Sequence, residues 1–154
     1  MNLRVKELKK KLEGLGFKVE EFTQTTKTAA DAAAVLNCDL EQIAKSIVFK
    51  DIETQTPILA IVSGKNKVDL TKLENLIHSK LEKADADFVL EKTGFPIGGV
   101  PPFGYDKNLK IFLDEDLFQY KTLWAAAGTP NSVFELTPDN LLQLTQGIKV
   151  ELKL

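Results

Sequence analysis

Apolar positions along the chain follow two periods. Val5, Leu8, Leu12 and Leu15 recur at helical spacing between lysines, which predicts a helix over residues 2–14 stopped by Gly14 and Gly16. Phe17-Lys18-Val19-Glu20-Glu21-Phe22 then alternates, as a half-buried strand does. Thr28, with Asp31 three residues on, caps a helix filled by Ala29–Leu36. Asp39 with Gln42 reads as a second capping box, opening a short helix that ends near Lys45. Ser46–Ile52 and Pro57–Ser63 are strands around a polar turn, a hairpin. Asp69 or Thr71 caps a helix carrying Leu73, Leu76 and Ile77, and Asp85 caps another that Gly94 ends. Lys110–Asp114, Leu123–Ala127 and Ser132–Leu136 are short strands. Thr137-Pro138-Asp139 opens a helix with proline in its first turn, and Ile148–Leu152 is a final strand. Strands and helices alternate irregularly, without repeat or linker, so the 154 residues predict a single domain, 1–154, of α+β or mixed α/β class.

Composition then removes whole classes of chemistry. One cysteine excludes an intrachain disulfide, and one histidine with one cysteine excludes a His/Cys zinc site or an iron–sulfur centre. Ser–His–Asp or Cys–His catalysis would have to run through His78, which sits beside Leu76 and Ile77 like a packed or surface histidine. Neither metal nor cofactor is expected. Chemistry is left to lysine, carboxylates, hydroxyls, backbone groups and water. The net charge of −2 and the single arginine, Arg4, do not describe a strong nucleic-acid binder, without excluding a local patch; no DNA partner is expected, and lysine suits loose phosphate contact better than base reading. No run approaches the ~18 apolar residues of a membrane helix. Met1–Lys11 lacks the apolar centre of a signal peptide, so a cytoplasmic protein without a membrane partner is expected.

Three stretches could carry function. In Phe95-Pro96-Ile97-Gly98-Gly99-Val100-Pro101-Pro102-Phe103-Gly104, three prolines and three glycines forbid a helix or central strand, yet the stretch is apolar. It is either a buried turn or a rigid loop whose N–H groups hold a carbonyl oxygen. Lys45, where an apolar strand begins, either snorkels to the surface or lines a cleft. Trp124-Ala125-Ala126-Ala127-Gly128-Thr129-Pro130-Asn131 is either a plain strand end or the floor of a small pocket. Cys38 reads as a small apolar filler. Lys65, Lys67 and Lys72 cluster on a loop and the following helix, where they either meet phosphates or are simply solvated.

These stretches occur in a particular order. Thr28-Ala29-Ala30-Asp31 precedes Gln42-Ile43-Ala44-Lys45-Ser46-Ile47-Val48-Phe49; then come Gly98-Gly99-Val100-Pro101-Pro102-Phe103-Gly104 and Ala127-Gly128 ahead of Phe134–Leu141. Over roughly residues 23–152 the chain resembles the YbaK/ProX family of trans-acting aminoacyl-tRNA deacylases, relatives of the editing domain in bacterial prolyl-tRNA synthetases. The resemblance implies a mixed, barrel-like α/β sheet with surrounding helices. It implies hydrolysis of the ester joining a wrong amino acid to the 3′ end of a tRNA such as tRNA(Pro). It places Lys45 and Gly98 in catalysis, and Thr28, Ser46, Gly99, Pro102, Ala127, Gly128 and Asn131 around the substrate. Lys65 and Lys67 become candidate tRNA contacts, and a synthetase becomes a candidate partner. Cysteinyl-type members carry serine and aspartate at the positions of Ala126 and Val133; the chain is closer here to the branch that clears seryl-, threonyl- or alanyl-tRNA.

The resemblance fits the exclusions. An aminoacyl ester is already activated, so an oriented water, backbone donors and one cation suffice. Apolar contacts alone reject a near-isosteric amino acid by only about 10²-fold, which is why a second, small pocket is useful. The alternative is a non-catalytic tRNA- or synthetase-binding module of the same fold.

Overall fold

The computed structural model describes residues 3–105 and 109–154. Among them the chain forms five α-helices: α1 (Leu3–Gly14), α2 (Ala29–Leu36), α3 (Leu70–Ile77), α4 (Ala86–Thr93) and α5 (Pro138–Thr145). Eight strands accompany them: β1 (Val19–Glu21), β2 (Ile43–Asp51), β3 (Pro57–Ser63), β4 (Leu81–Lys83), β5 (Lys110–Asp114), β6 (Leu123–Ala126), β7 (Ser132–Leu136) and β8 (Ile148–Val150). All eight belong to one mixed sheet in the order β1-β7-β6-β2-β3-β5-β8, with β4 as a further partner of β2. The single mixed sheet surrounded by helices is the architecture the sequence predicts.

The pleat divides the core. Val48, Leu59, Ile61, Leu113, Leu123, Ala125, Phe134 and Leu136 form one face, covered by Val5, Leu8 and Leu12 of α1, Val89 of α4 and Leu141 of α5. Phe49, Ile58, Ala60, Val62 and Phe112 form the other, covered by Leu73 of α3 and Leu152. β3 and β5 are thus apolar on both faces, as continuous apolar runs require.

The caps are as the sequence reads them. Thr28 Oγ1 accepts from Asp31 N at 3.0 Å, an Asp69 carboxylate oxygen from Lys72 N at 3.2 Å and one of Asp85 from Phe88 N at 2.8 Å. Thr137 and Asn140 form a reciprocal box. Several expectations are corrected. Asp39 and Gln42 do pair, but the helix they open is a single 3-10 turn, Leu40–Gln42, and β2 begins at Ile43 rather than after Lys45. The reason lies 81 residues away: Ile43 and Ala44, both buried, pair in parallel with Trp124 and Ala125. Leu15 falls beyond α1 and is 48% exposed. The alternation at 17–22 yields only Val19–Glu21, since β7 offers three partners there. β6 stops at Ala126 and β8 at Val150. Neither β4 nor the 3-10 turn Glu115–Gln119 is foreseen by the pattern.

Candidate active site

β2 is paired unevenly on its two edges. β3 accompanies it from Ala44 to Lys50. On the other edge β6 reaches only Ile43 and Ala44, and β4 only Phe49–Asp51. Gly64 N donates to Ile43 O at 2.8 Å and Asp51 N to Thr56 O at 2.9 Å, so odd-numbered peptides of β2 turn toward β3. Even-numbered ones turn the other way, as the bond from Ala84 N to Val48 O at 3.1 Å shows. The peptide of Ser46 therefore faces the break between β6 and β4. A cavity of about 320 Å³ opens there.

The cavity draws its wall from distant parts of the chain. α2 and its cap give Lys27, Thr28, Ala29 and Ala32; β2 gives Lys45 and Ser46; the β4 region gives Lys83 and Ala84; the Gly/Pro loop gives Ile97, Gly98 and Val100; β6 and β7 give Trp124, Ala126 and Val133.

Lys45 is half-buried, and its Nζ donates to the Gly64 carbonyl at 3.5 Å. Burial pushes its ammonium below the ordinary lysine range; Lys67 and Lys83 push the same way, and Asp114 partly opposes them. The loop that presents Gly64 is clamped by polar bonds. Ser63 N and Asn66 Nδ2 both donate to Asp114 Oδ2, at 3.1 and 2.8 Å, and Asn66 Nδ2 also reaches Asp116 Oδ2 at 2.9 Å. Ser63 Oγ donates to Glu41 O at 2.8 Å, and Lys153 Nζ lies 3.1 Å from Asp116 Oδ2. The Asn66 amide, joined by Lys153, holds the Asp116 carboxyl below its usual range.

The wall that carries Gly98 is built by packing. Phe95, Val100 and Phe103 are buried, and Gly99 N donates to Pro96 O at 2.9 Å. Gly98 has φ +85, and a side chain there would run into Lys27. At Gly99 a Cβ would lie 2.9 Å from the N, Cα and C of Thr129, so only glycine lets the two loops touch.

The structure thus gathers Lys45, Gly98, Thr28 and Ser46 around one cavity. It places the other sequence candidates elsewhere. Gly99 and Pro102 belong to the loop but not to the cavity wall, and Pro102 is buried. Ala127 is 2% exposed within the core, and Gly128 faces Leu8 and Phe95; Ala126 takes the place at the wall. Asn131 Nδ2 donates to Phe22 O at 2.7 Å and lines a separate concavity with Thr23 and Thr129. Lys65 and Lys67 are exposed; Lys67 acts on Lys45 and Lys65 on Asp116. Sequence reasoning missed Lys27 and Lys83. The Leu81-Glu82-Lys83 alternation was the one signal for the latter. His78 ends α3 with φ 61, and burial raises the Cys38 thiol pKa. Among the described residues no three His, Cys, Asp or Glu side chains converge to hold a metal, and no helix is long and apolar enough to cross a membrane.

A mixed α/β sheet with a cavity at a break beside its central strand, lined by Lys27, Lys45 and Lys83 and by the Gly98 turn, defines the class. Comparison with known proteins makes it specific: the aminoacyl-tRNA editing domain matches residues 23–144, and the chain belongs to that family. It is 35% identical over 127 residues to the "Uncharacterized protein YwhH" of Bacillus subtilis, covering 82% of this chain and 80% of that one. It is 30% identical over 121 residues to the Enterococcus faecalis protein named "Putative Cys-tRNA(Pro)/Cys-tRNA(Cys) deacylase EbsC", covering 78% and 73%. A proline–tRNA ligase of Brachyspira hyodysenteriae shares 32% identity over 99 residues, 64% of this chain and 17% of the ligase. Among solved structures, one described as "a putative trans-editing enzyme for prolyl tRNA synthetase" superposes with TM-score 0.89 at 40% identity, covering 100% of this chain and 99% of that one.

Proposed function

We propose that the chain is a trans-editing deacylase that hydrolyses the ester of a tRNA mischarged with a small amino acid, serine, threonine, alanine or cysteine, on tRNA(Pro) or a related tRNA. The observation that carries this reading is the placement of the half-buried Lys45 ammonium and the Gly98 turn on the walls of one cavity. In the reaction water adds to the ester carbonyl, negative charge gathers on its oxygen, and the bond to the ribose oxygen breaks. The ribose oxygen takes back a proton, and the amino acid leaves as its carboxylate. Lys45 supplies the positive charge that this intermediate needs, in a site where burial strengthens the attraction. The Gly98 loop positions the aminoacyl group.

The alanines of the wall (Ala29, Ala32, Ala126) leave space in the cavity for the aminoacyl group. Lys27 and Lys83 at the cavity, with Lys67 and Lys65 beyond it, are suited to acceptor-end phosphates. A synthetase is a partner suited to a domain of this family.

The test is a deacylation panel on tRNA(Pro) and other tRNAs charged with serine, threonine, alanine, cysteine and proline. Wild type should clear at least one small residue, and Lys45→Ala should lose about 10²–10³-fold in rate, the cost of removing one group that stabilises developing charge. Absence of turnover with every substrate would sink the deacylase reading in favour of a tRNA-binding module.

A further inference from the structure

The turn that meets Lys45 takes its shape from a residue that does not line the cavity. Ser63–Asn66 is closed by Asn66 N donating to Ser63 O at 2.9 Å. Its second residue, Gly64, lies so close to Leu40 that a Cβ there would run into the Leu40 carbonyl oxygen. Asp114, at the end of β5, spans the turn. Its Oδ2 accepts from Ser63 N at 3.1 Å and from Asn66 Nδ2 at 2.8 Å, the first and last residues of the turn. Its Oδ1 accepts from Asp116 N at 3.0 Å. An asparagine could not do this, since it offers a single oxygen and would turn its own donors toward these N–H groups.

The same carboxylate also matters as a charge. It is 1% exposed, and these three donors are neutral, so its negative charge persists where water screens it little. Asp116, by contrast, meets a cation directly, Lys153 Nζ at 3.1 Å. Lys45 reaches the clamped turn through its bond to Gly64 O at 3.5 Å. There it sits among positive groups: Lys67 from the polar loop and Lys83 from β4 favour loss of its proton, and Lys27 from the α2 cap lines the same cavity. Asp114 favours keeping the proton.

Resting on the deacylase reading, we propose that Asp114 is the positioning residue of Lys45. It clamps the Ser63–Asn66 turn so that the Gly64 carbonyl aims the ammonium, and its buried charge steadies that ammonium against Lys67 and Lys83. The two roles separate experimentally, because the clamp can be loosened without removing the charge.

The experiment reads Lys45 in two ways. In protein isotope-labelled at lysine Cε, the Lys45 resonance, assigned by its absence in Lys45→Arg, is followed through alkaline pH. It should titrate at lower pH in Asp114→Asn than in wild type. An unmoved titration overturns the assignment, whether or not the chain clears any tRNA. Next, kcat and KM are measured against pH on a mischarged tRNA that wild type clears. Asp114→Asn should lower kcat by about 10–10²-fold with KM little changed, the cost of a misplaced group, and bring the alkaline limb to lower pH. Asn66→Ala and Asp114→Glu, which loosen the clamp but keep the charge, should lower kcat by about tenfold and leave the limb in place. These two carry the test if thermal unfolding shows that Asp114→Asn is not folded, and a wild-type kcat in both overturns the proposal. A limb that moves as far in Asn66→Ala as in Asp114→Asn overturns it too, since loosening alone would then account for the shift. Absence of turnover in wild type overturns the deacylase reading and leaves the titration to decide on Asp114.

Discussion

Two loops serve the site and are held by opposite means: one presents the Gly64 carbonyl to Lys45, the other carries Gly98 on the cavity wall. Ser63–Lys67 is polar and is pinned by hydrogen bonds to two carboxylates, Asp114 and Asp116, which are 1% and 6% exposed. Phe95–Gly104 is apolar and is pinned by burial of Phe95, Val100 and Phe103, with Gly99 pressed against the Thr129 backbone. The comparison teaches that a site can be made rigid by either route but fails differently. A loop held by packing tolerates no added volume, whereas a loop held by charge–dipole bonds depends on pH.

The largest effect is expected on the packed side. Gly99→Ala places a methyl 2.9 Å from three backbone atoms of Thr129, none of which can rotate away. Overpacking of this kind costs about 3 kcal/mol, or a fall in Tm on the order of 10 °C for a chain this long. Thermal unfolding measures it, and a Tm within about 2 °C of wild type would mean that the loops are not in contact.

On the polar side Asn66→Ala should cost about 2 kcal/mol, since it strips a shared donor from two buried carboxylates. Here the sign with pH is informative. Asp116 has a lowered pKa, so its contribution is present above the ordinary aspartate pKa and is lost as pH falls through the lowered value. The gap in Tm between Asn66→Ala and wild type should therefore be full at neutral pH and shrink in acid. A gap that stays constant into acid would show that the Asp116 charge plays no part in holding the loop.

The two loops were also unequally legible. The apolar loop announces itself locally, because prolines and glycines among phenylalanines leave few backbone options. The caps at Thr28, Asp69, Asp85 and Thr137 were readable for the same reason: each is a bond between residues three apart. Sequence alone leaves the polar loop open between phosphate contact and solvation, since the partners that pin it, Asp114 and Asp116, lie about 50 residues on. The start of β2 was misread because its pairing with β6 is similarly remote. Lys83 escaped notice because a three-residue strand carries almost no periodic signal, and Lys27 because it sits just ahead of a cap rather than in a lysine cluster. Lys45, Ser46 and Gly98 could be placed at a site only through the family resemblance; composition and spacing left each of them open.

The smallest effect is expected at Lys45, which lines the cavity and meets the polar loop. Its pKa is lowered by burial first and by Lys67 and Lys83 next, so its ammonium gives up its proton at lower pH than an ordinary lysine. If the charged form assists the reaction, kcat/KM falls on the alkaline side earlier than a free lysine would dictate. Lys67 is exposed and belongs to the polar loop; replacing it by methionine removes one positive charge near Lys45 while keeping the side-chain length. Lys67→Met should move the alkaline limb to higher pH, modestly, because solvent screens exposed charges and burial remains the larger cause. Lys45→Arg supplies the control, since a guanidinium does not titrate in this range and the limb assigned to Lys45 should vanish. A limb that persists in Lys45→Arg belongs to another group. A limb that disappears there but does not shift in Lys67→Met would mean that burial alone sets the Lys45 proton affinity, and that the polar loop holds Gly64 in place without tuning the charge it faces.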